Sequence, residues 1–163
     1  MTEQLNRITV HGTPVVPGIA YGPAIWPSSR PELVTDAPAL DDADREAAVD
    51  AFVGAAKAVE NSLLGRAAEA TGAAAEVLQA NAAMAADRGW IGAAKKSIAG
   101  GVPPVQAAIA ATEQFVVLFT KVGGLMAERV TDLEDIRDRV IAELPGLPEP
   151  GVPMPSTEER RVG

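Results

Sequence analysis

The chain of 163 residues carries 14 Lys+Arg against 22 Asp+Glu, a net charge of −8, which argues against a nucleic-acid partner because such a surface needs a basic surplus. A hydrophobic fraction of 47% with only 4% aromatic residues suits one domain whose core is built from Ala, Val, Leu and Ile. With Cys 0 and His 1, disulfides, thiolate nucleophiles and any catalytic or metal scheme needing two histidines are excluded.

In chain order, Met1 to Arg7 carries an acid and no apolar run, so it does not read as a secretory signal. No window is expected to reach the roughly 18 apolar residues of a membrane span, and the expectation is a cytoplasmic protein with no membrane partner. Ile8-Thr9-Val10, the turn His11-Gly12-Thr13-Pro14 and the run Ile19 to Ile25 predict two short strands over residues 1–30. A lone hairpin is marginal in water, so these strands need sheet partners that the sequence does not offer.

Pro27, Pro31 and Pro38 keep the chain extended until Asp41-Asp42-Ala43-Asp44, where Asp41 is placed to cap a helix. The first helix is predicted from Asp42 to Ala70, with Val49, Phe52, Val53, Ala56, Val59, Leu63 and Leu64 along one face and Thr71-Gly72 as its stop. An Ala-rich helix follows from Ala73 to Asp87, then a short one from Trp90 to Ala99 after an interruption at Gly89. Pro103-Pro104 restarts the pattern to Thr120, and after Gly123-Gly124 a final helix runs from Leu125 to Leu144. Five prolines between Pro145 and Pro155 then predict a stiff, extended exit over 146–163 without core residues. The fold class is therefore mainly α: an antiparallel helical hairpin bundle, residues 31–145, with a short N-terminal β appendage.

Chemistry-bearing residues are sparse. His11 has no acid partner or glycine-rich anion loop near it in sequence and reads as a solvated turn residue. Glu128, Asp132, Glu134 and Asp135 point several ways on a helix and, flanked by Arg129, Arg137 and Arg139, read as a solvated face of ion pairs, not as a metal site. Met84 and Trp90 suit either an interface or the core.

Two segments together carry a resemblance. Val16-Pro17-Gly18-Ile19-Ala20-Tyr21-Gly22-Pro23-Ala24 is similar to the opening S-P-G-I-A-x-G-x-A of enzyme I of the phosphoenolpyruvate-dependent sugar phosphotransferase system. Glu128-Arg129-Val130-Thr131-Asp132-Leu133-Glu134-Asp135-Ile136 resembles that family's E-R-x-x-D-[LV]-x-D-[IV] helix, and the likeness spans about Ile8 to Gly146. The resemblance implies that the helices are an insertion that docks the phosphocarrier HPr, while the N-terminal strands belong to a phosphohistidine domain. It also implies that the active histidine sits in a later Gly-Gly-x-Thr-Ser-His segment and is charged from phosphoenolpyruvate on a magnesium-dependent C-terminal barrel of a homodimeric parent.

No segment here resembles the Thr-Ser-His motif and His11 does not match its position, so the chain looks like an enzyme I cut short, monomeric, with no catalytic residue, no metal and no cofactor of its own. The candidate partner-binding residues are Met84, Asp87, Arg88 and Trp90 around the second helix and its turn, with Arg129 at the start of the last helix. Two alternatives stay open: a free-standing helical adaptor without enzymatic activity, and a related nitrogen-type or multiphosphoryl phosphotransferase. A motif that starts within the first 20 residues favours plain enzyme I.

Overall fold

The computed structural model describes residues 27–152 together with Gly18 and Tyr21. The strands expected within Ile8 to Ile25, His11, and the tail from 153 onward therefore lie outside the described residues.

The helical segments follow the local sequence signals closely. A 3₁₀ turn over Asp42–Asp44 leads into α1, Arg45–Glu69. Asp41 enters this turn through its backbone, its carbonyl accepting from the Asp44 amide at 3.0 Å, and its carboxylate does not cap, which corrects the expected side-chain cap. Helix α2 spans Ala73–Ala85, α3 Arg88–Ala99 and α4 Pro104–Val122. The break between α2 and α3 falls at Ala86-Asp87 and not at Gly89, because the Asp87 carboxylate accepts from the Trp90 amide at 2.7 Å and starts α3 two residues early.

The last predicted helix is two helices. α5, Leu125–Glu128, and α6, Val130–Glu143, meet at Arg129, whose backbone (φ −80, ψ −3) closes a tight turn onto the Met126 carbonyl at 3.1 Å.

Helices α1 and α2 form one hairpin and α3 and α4 a second, while α6 packs against α1, α2 and α4. The shared core is made of Phe52, Val59 and Leu63 from α1, Trp90 and Ile98 from α3, and Leu133, Ile136 and Val140 from α6. Alanines fill the crossings: Ala55, Ala56, Ala82, Ala85, Ala94, Ala107, Ala108 and Ala111 are all buried, so backbones approach closely where the aromatic-poor composition offers no large side chain. Phe52 and Trp90 anchor the centre with ring centroids 5.5 Å apart.

By length and composition α4 is apolar enough to cross a membrane, contrary to the expectation that no segment would be. Its small residues Ala107, Ala108, Ala111 and Thr112 are buried against neighbouring helices, while most of the helix is not buried.

The segment after α6 corrects the expectation of an extended, coreless exit. Leu147 donates its amide to the Ala142 carbonyl at 2.9 Å, Pro150 is buried, and Gly151 and Val152 pair with Ser28 through backbone bonds of 3.0 and 2.9 Å. The strand leading into the bundle and the strand leaving it thus lie side by side. The leading strand is held further along, where Gln106 donates to the carbonyls of Thr35 and Ala37 at 3.0 Å and the Leu40 amide bonds the Gly101 carbonyl at 2.8 Å.

Candidate functional site

Towards the C-terminal end of α4, Phe115 and Phe119 pack against the core while three other large apolar side chains stay outside it. Val117, Leu118 and Val122 are more than half exposed, and Leu118 and Val122 stand one turn apart on the same side of the helix. The chain then reverses through Gly123 and Gly124, both at positive φ (71° and 56°), a conformation that costs glycine little and a β-carbon a good deal. That reversal sets α5 against the end of α4, with Leu125 79% exposed and Met126 beside it. Leu118, Val122, Leu125 and Met126 form an apolar surface at one end of the bundle. Apolar surface of this kind, rimmed by polar groups, marks an interaction site on a soluble protein.

Its rim is charged. Arg129 follows α5 directly, its side chain about two-fifths exposed and held 3.5 Å from Asp132. On the other side the start of α3 lies against α4, since a β-carbon on Gly89 would stand 3.0 Å from the Phe115 ring. Arg88 and Asp87 are exposed at that start, with the Asp87 carboxylate committed to capping α3.

Of the residues expected to bind a partner, Arg129 thus lies at the apolar surface, and Asp87 and Arg88 lie at the start of α3 beside α4. Met84 is only half-exposed and packs against the core. Trp90 is a correction: its side chain is fully buried, its indole N–H donates to the Thr112 hydroxyl at 3.1 Å, and it has no surface to offer. A helix that begins at Asp87 turns position 90 inward, whereas the sequence reading began the helix at Trp90 and left its direction open.

Sequence reasoning missed Leu118, Val122, Leu125 and Met126. The signal was present in Val116-Val117-Leu118-Phe119, an apolar run that encircles a helix, because one face of the bundle cannot bury all of it.

The acidic cluster resolves into local ion pairs, Arg129 with Asp132 and Arg139 with Asp135 at 2.6 Å. Among the described residues no group of three or more His, Asp or Glu is arranged to hold a metal ion. The described residues therefore offer no fitting ligand set for the magnesium implied for full-length enzyme I.

Known proteins place this architecture. The model of the family described as PEP-utilising enzyme, N-terminal, matches residues 11–129. A phosphoenolpyruvate-protein phosphotransferase of Streptomyces coelicolor is 37% identical over 99 residues, which is 61% of this chain and 18% of that protein. The chain thus spans under a fifth of this relative's length. An NMR solution structure of Enzyme I superposes with a TM-score of 0.62 at 20% identity, covering 76% of this chain and 53% of that one, and so shows the same helical fold. With most of its length inside the family match, the chain belongs to the N-terminal family of phosphoenolpyruvate-utilising enzymes, among which it resembles enzyme I.

Proposed function

We propose that this chain is the carrier-docking region of an enzyme I-type phosphoenolpyruvate-protein phosphotransferase and that it holds the phosphocarrier HPr during phosphoryl transfer for sugar uptake. The observation that supports the reading most is the exposed apolar surface of Leu118, Val122, Leu125 and Met126. Each such side chain contributes on the order of 1.5–3 kcal/mol when fully buried, and part of that offsets the ordering cost of association. Arg129 at the rim adds a cation that orients an incoming partner, with a larger effect on association rate than on affinity. Asp87 and Arg88 extend the same rim.

In this reading docking needs no cofactor. The phosphorylated histidine and the phosphoenolpyruvate site belong to other parts of a homodimeric cytoplasmic parent, and the segment taken by itself is an inactive, monomeric docking unit. The contribution of this unit is proximity: it raises the local concentration of the carrier near the transferring histidine.

Calorimetric titration with HPr from the same cell tests this. The unaltered chain is expected to bind, and Leu125→Asp is expected to weaken binding at least tenfold while leaving the thermal melt in place, because Leu125 is mostly exposed. Equal binding by Leu125→Asp and Leu118→Asp would remove the assigned surface. No binding by a folded chain would remove the HPr-docking reading and leave a helical adaptor or a related phosphotransferase with a different carrier.

A further inference from the structure

We infer that α6 carries a charge clamp that holds the two linker strands in one arrangement and so fixes the direction in which the helical unit is presented to the rest of its parent. The strands around Ser28 and around Val152 are the covalent routes into and out of the bundle, and they pair with each other through the Ser28 and Gly151 amides, with the Ser28 hydroxyl adding a bond to the Val152 carbonyl at 2.9 Å. Three such bonds on exposed strands do not by themselves hold a fixed geometry in water.

Consecutive residues of α6 supply the rest. Asp138 is buried, accepts two bonds from Arg137 at 2.9 and 2.7 Å, and faces Arg30 of the leading strand at 3.7 Å. Arg139, nearly buried, bonds Glu149 of the departing strand. Glu149 is held from α1 as well, accepting from the Ser62 hydroxyl at 3.0 Å and from Arg66 at 3.3 Å.

Glu149 is thus the point at which α1, α6 and the departing strand meet, through one carboxylate and three donors. Hydrogen bonds between charged groups are the stronger ones, yet the Arg30 contact is largely exposed and responds to salt. The bundle core contains none of these charged groups apart from Asp138. The clamp can therefore open without unfolding the helices, and the linkage of the helical unit is tunable by charge.

Amide hydrogen exchange on the full 163-residue chain tests the clamp. Glu149→Gln removes the charge but keeps the shape, and Arg30→Gln releases the leading strand without disturbing the Arg137–Asp138 pair. Glu149→Gln, which loses charge-assisted hydrogen bonds, is expected to speed exchange at the Ser28 and Gly151 amides by about tenfold or more, and Arg30→Gln, which loses an ion pair at 3.7 Å, by a smaller factor of about twofold or more, while the amides of Phe52 and Val140 keep their rates. Raising salt should move the same linker amides in the unaltered chain. Unchanged linker exchange in Glu149→Gln would overturn the inference. Equal acceleration in linker and core would also overturn it, since the contacts would then be part of global stability. A response to Glu149→Gln without one to Arg30→Gln would overturn the joint holding of both strands.

Discussion

Thr112→Val isolates a buried side-chain hydrogen bond between α3 and α4, from Trp90 to Thr112. In the structure the Thr112 hydroxyl donates to the Ala108 carbonyl at 2.8 Å and accepts from the Trp90 indole N–H at 3.1 Å, and both side chains are fully buried. Valine keeps the shape and removes the acceptor, so the indole N–H is left in a site that water does not reach. An unsatisfied buried donor costs about 1–3 kcal/mol. The Ala108 carbonyl keeps its place in the helix ladder, so the loss falls chiefly on Trp90. For a chain of this size each kcal/mol moves the midpoint by about 2–4 °C, so Thr112→Val should melt roughly 4–8 °C lower for a cost near 2 kcal/mol. The assay is thermal unfolding by circular dichroism, paired with Trp90→Phe and the double variant. Trp90→Phe removes the donor and part of the ring, and once it is gone the threonine is no longer needed as an acceptor. The effects of the two changes should therefore fall short of additive by about 1 kcal/mol in the cycle. An unchanged midpoint in Thr112→Val, or strict additivity, would refute the buried assignment of Trp90 and return it to the list of surface anchors. Binding of HPr by folded Thr112→Val should match that of the unaltered chain.

Further expectations follow from single positions. Gly92→Ala, exposed in the middle of α3 with nothing within 4 Å of the new β-carbon, should raise stability by about 0.5–1 kcal/mol in a denaturant melt. Gly89→Ala should lower it, since its β-carbon would meet Phe115 at 3.0 Å and the capping carboxylate of Asp87 at 3.2 Å; a gain in stability would show that the ring yields freely. Asp87→Ala should cost about 1 kcal/mol by removing the cap on the Trp90 amide, a loss that Asp87→Asn or Asp87→Ser should largely restore. Gly124→Ala, at φ 56°, should strain the turn that sets α5 and reduce HPr affinity more than it lowers the melting midpoint.

Much of the bundle was legible in the sequence because its helices are delimited by strong local signals. Thr71-Gly72, Gly100-Gly101, Pro103-Pro104 and Gly123-Gly124 each break the chain where the structure does. The spacing of Phe52, Ala56, Val59 and Leu63 named the buried face of α1, whereas Leu64, placed on the same stripe, lies at its edge and is largely exposed. Errors arose where a side chain chose between local and distant partners. Asp41 could have capped α1 but did not, while Asp87 caps α3, a role the sequence pattern did not assign to it, and remains exposed beside α4. The direction of Trp90 depends on that cap and on Thr112, which lies 22 residues away, so no local pattern fixes it. Glu149 is the clearest case: a proline-rich context predicts extended chain, and distant partners, Ser62, Arg66 and Arg139, help to hold it against the bundle. The apolar end of α4 shows the opposite difficulty, since Val117, Leu118 and Val122, which periodicity did not single out, are left at the surface.

The most direct test of the docking account is amide chemical-shift mapping on the isotope-labelled chain as unlabelled HPr is added. The account predicts shifts confined to the C-terminal turns of α4, to α5 with Arg129, and to Asp87 and Arg88, with Ser28, Phe52 and Val140 unmoved. Shifts centred elsewhere on the bundle, or none from a folded chain at saturating carrier, would contradict it.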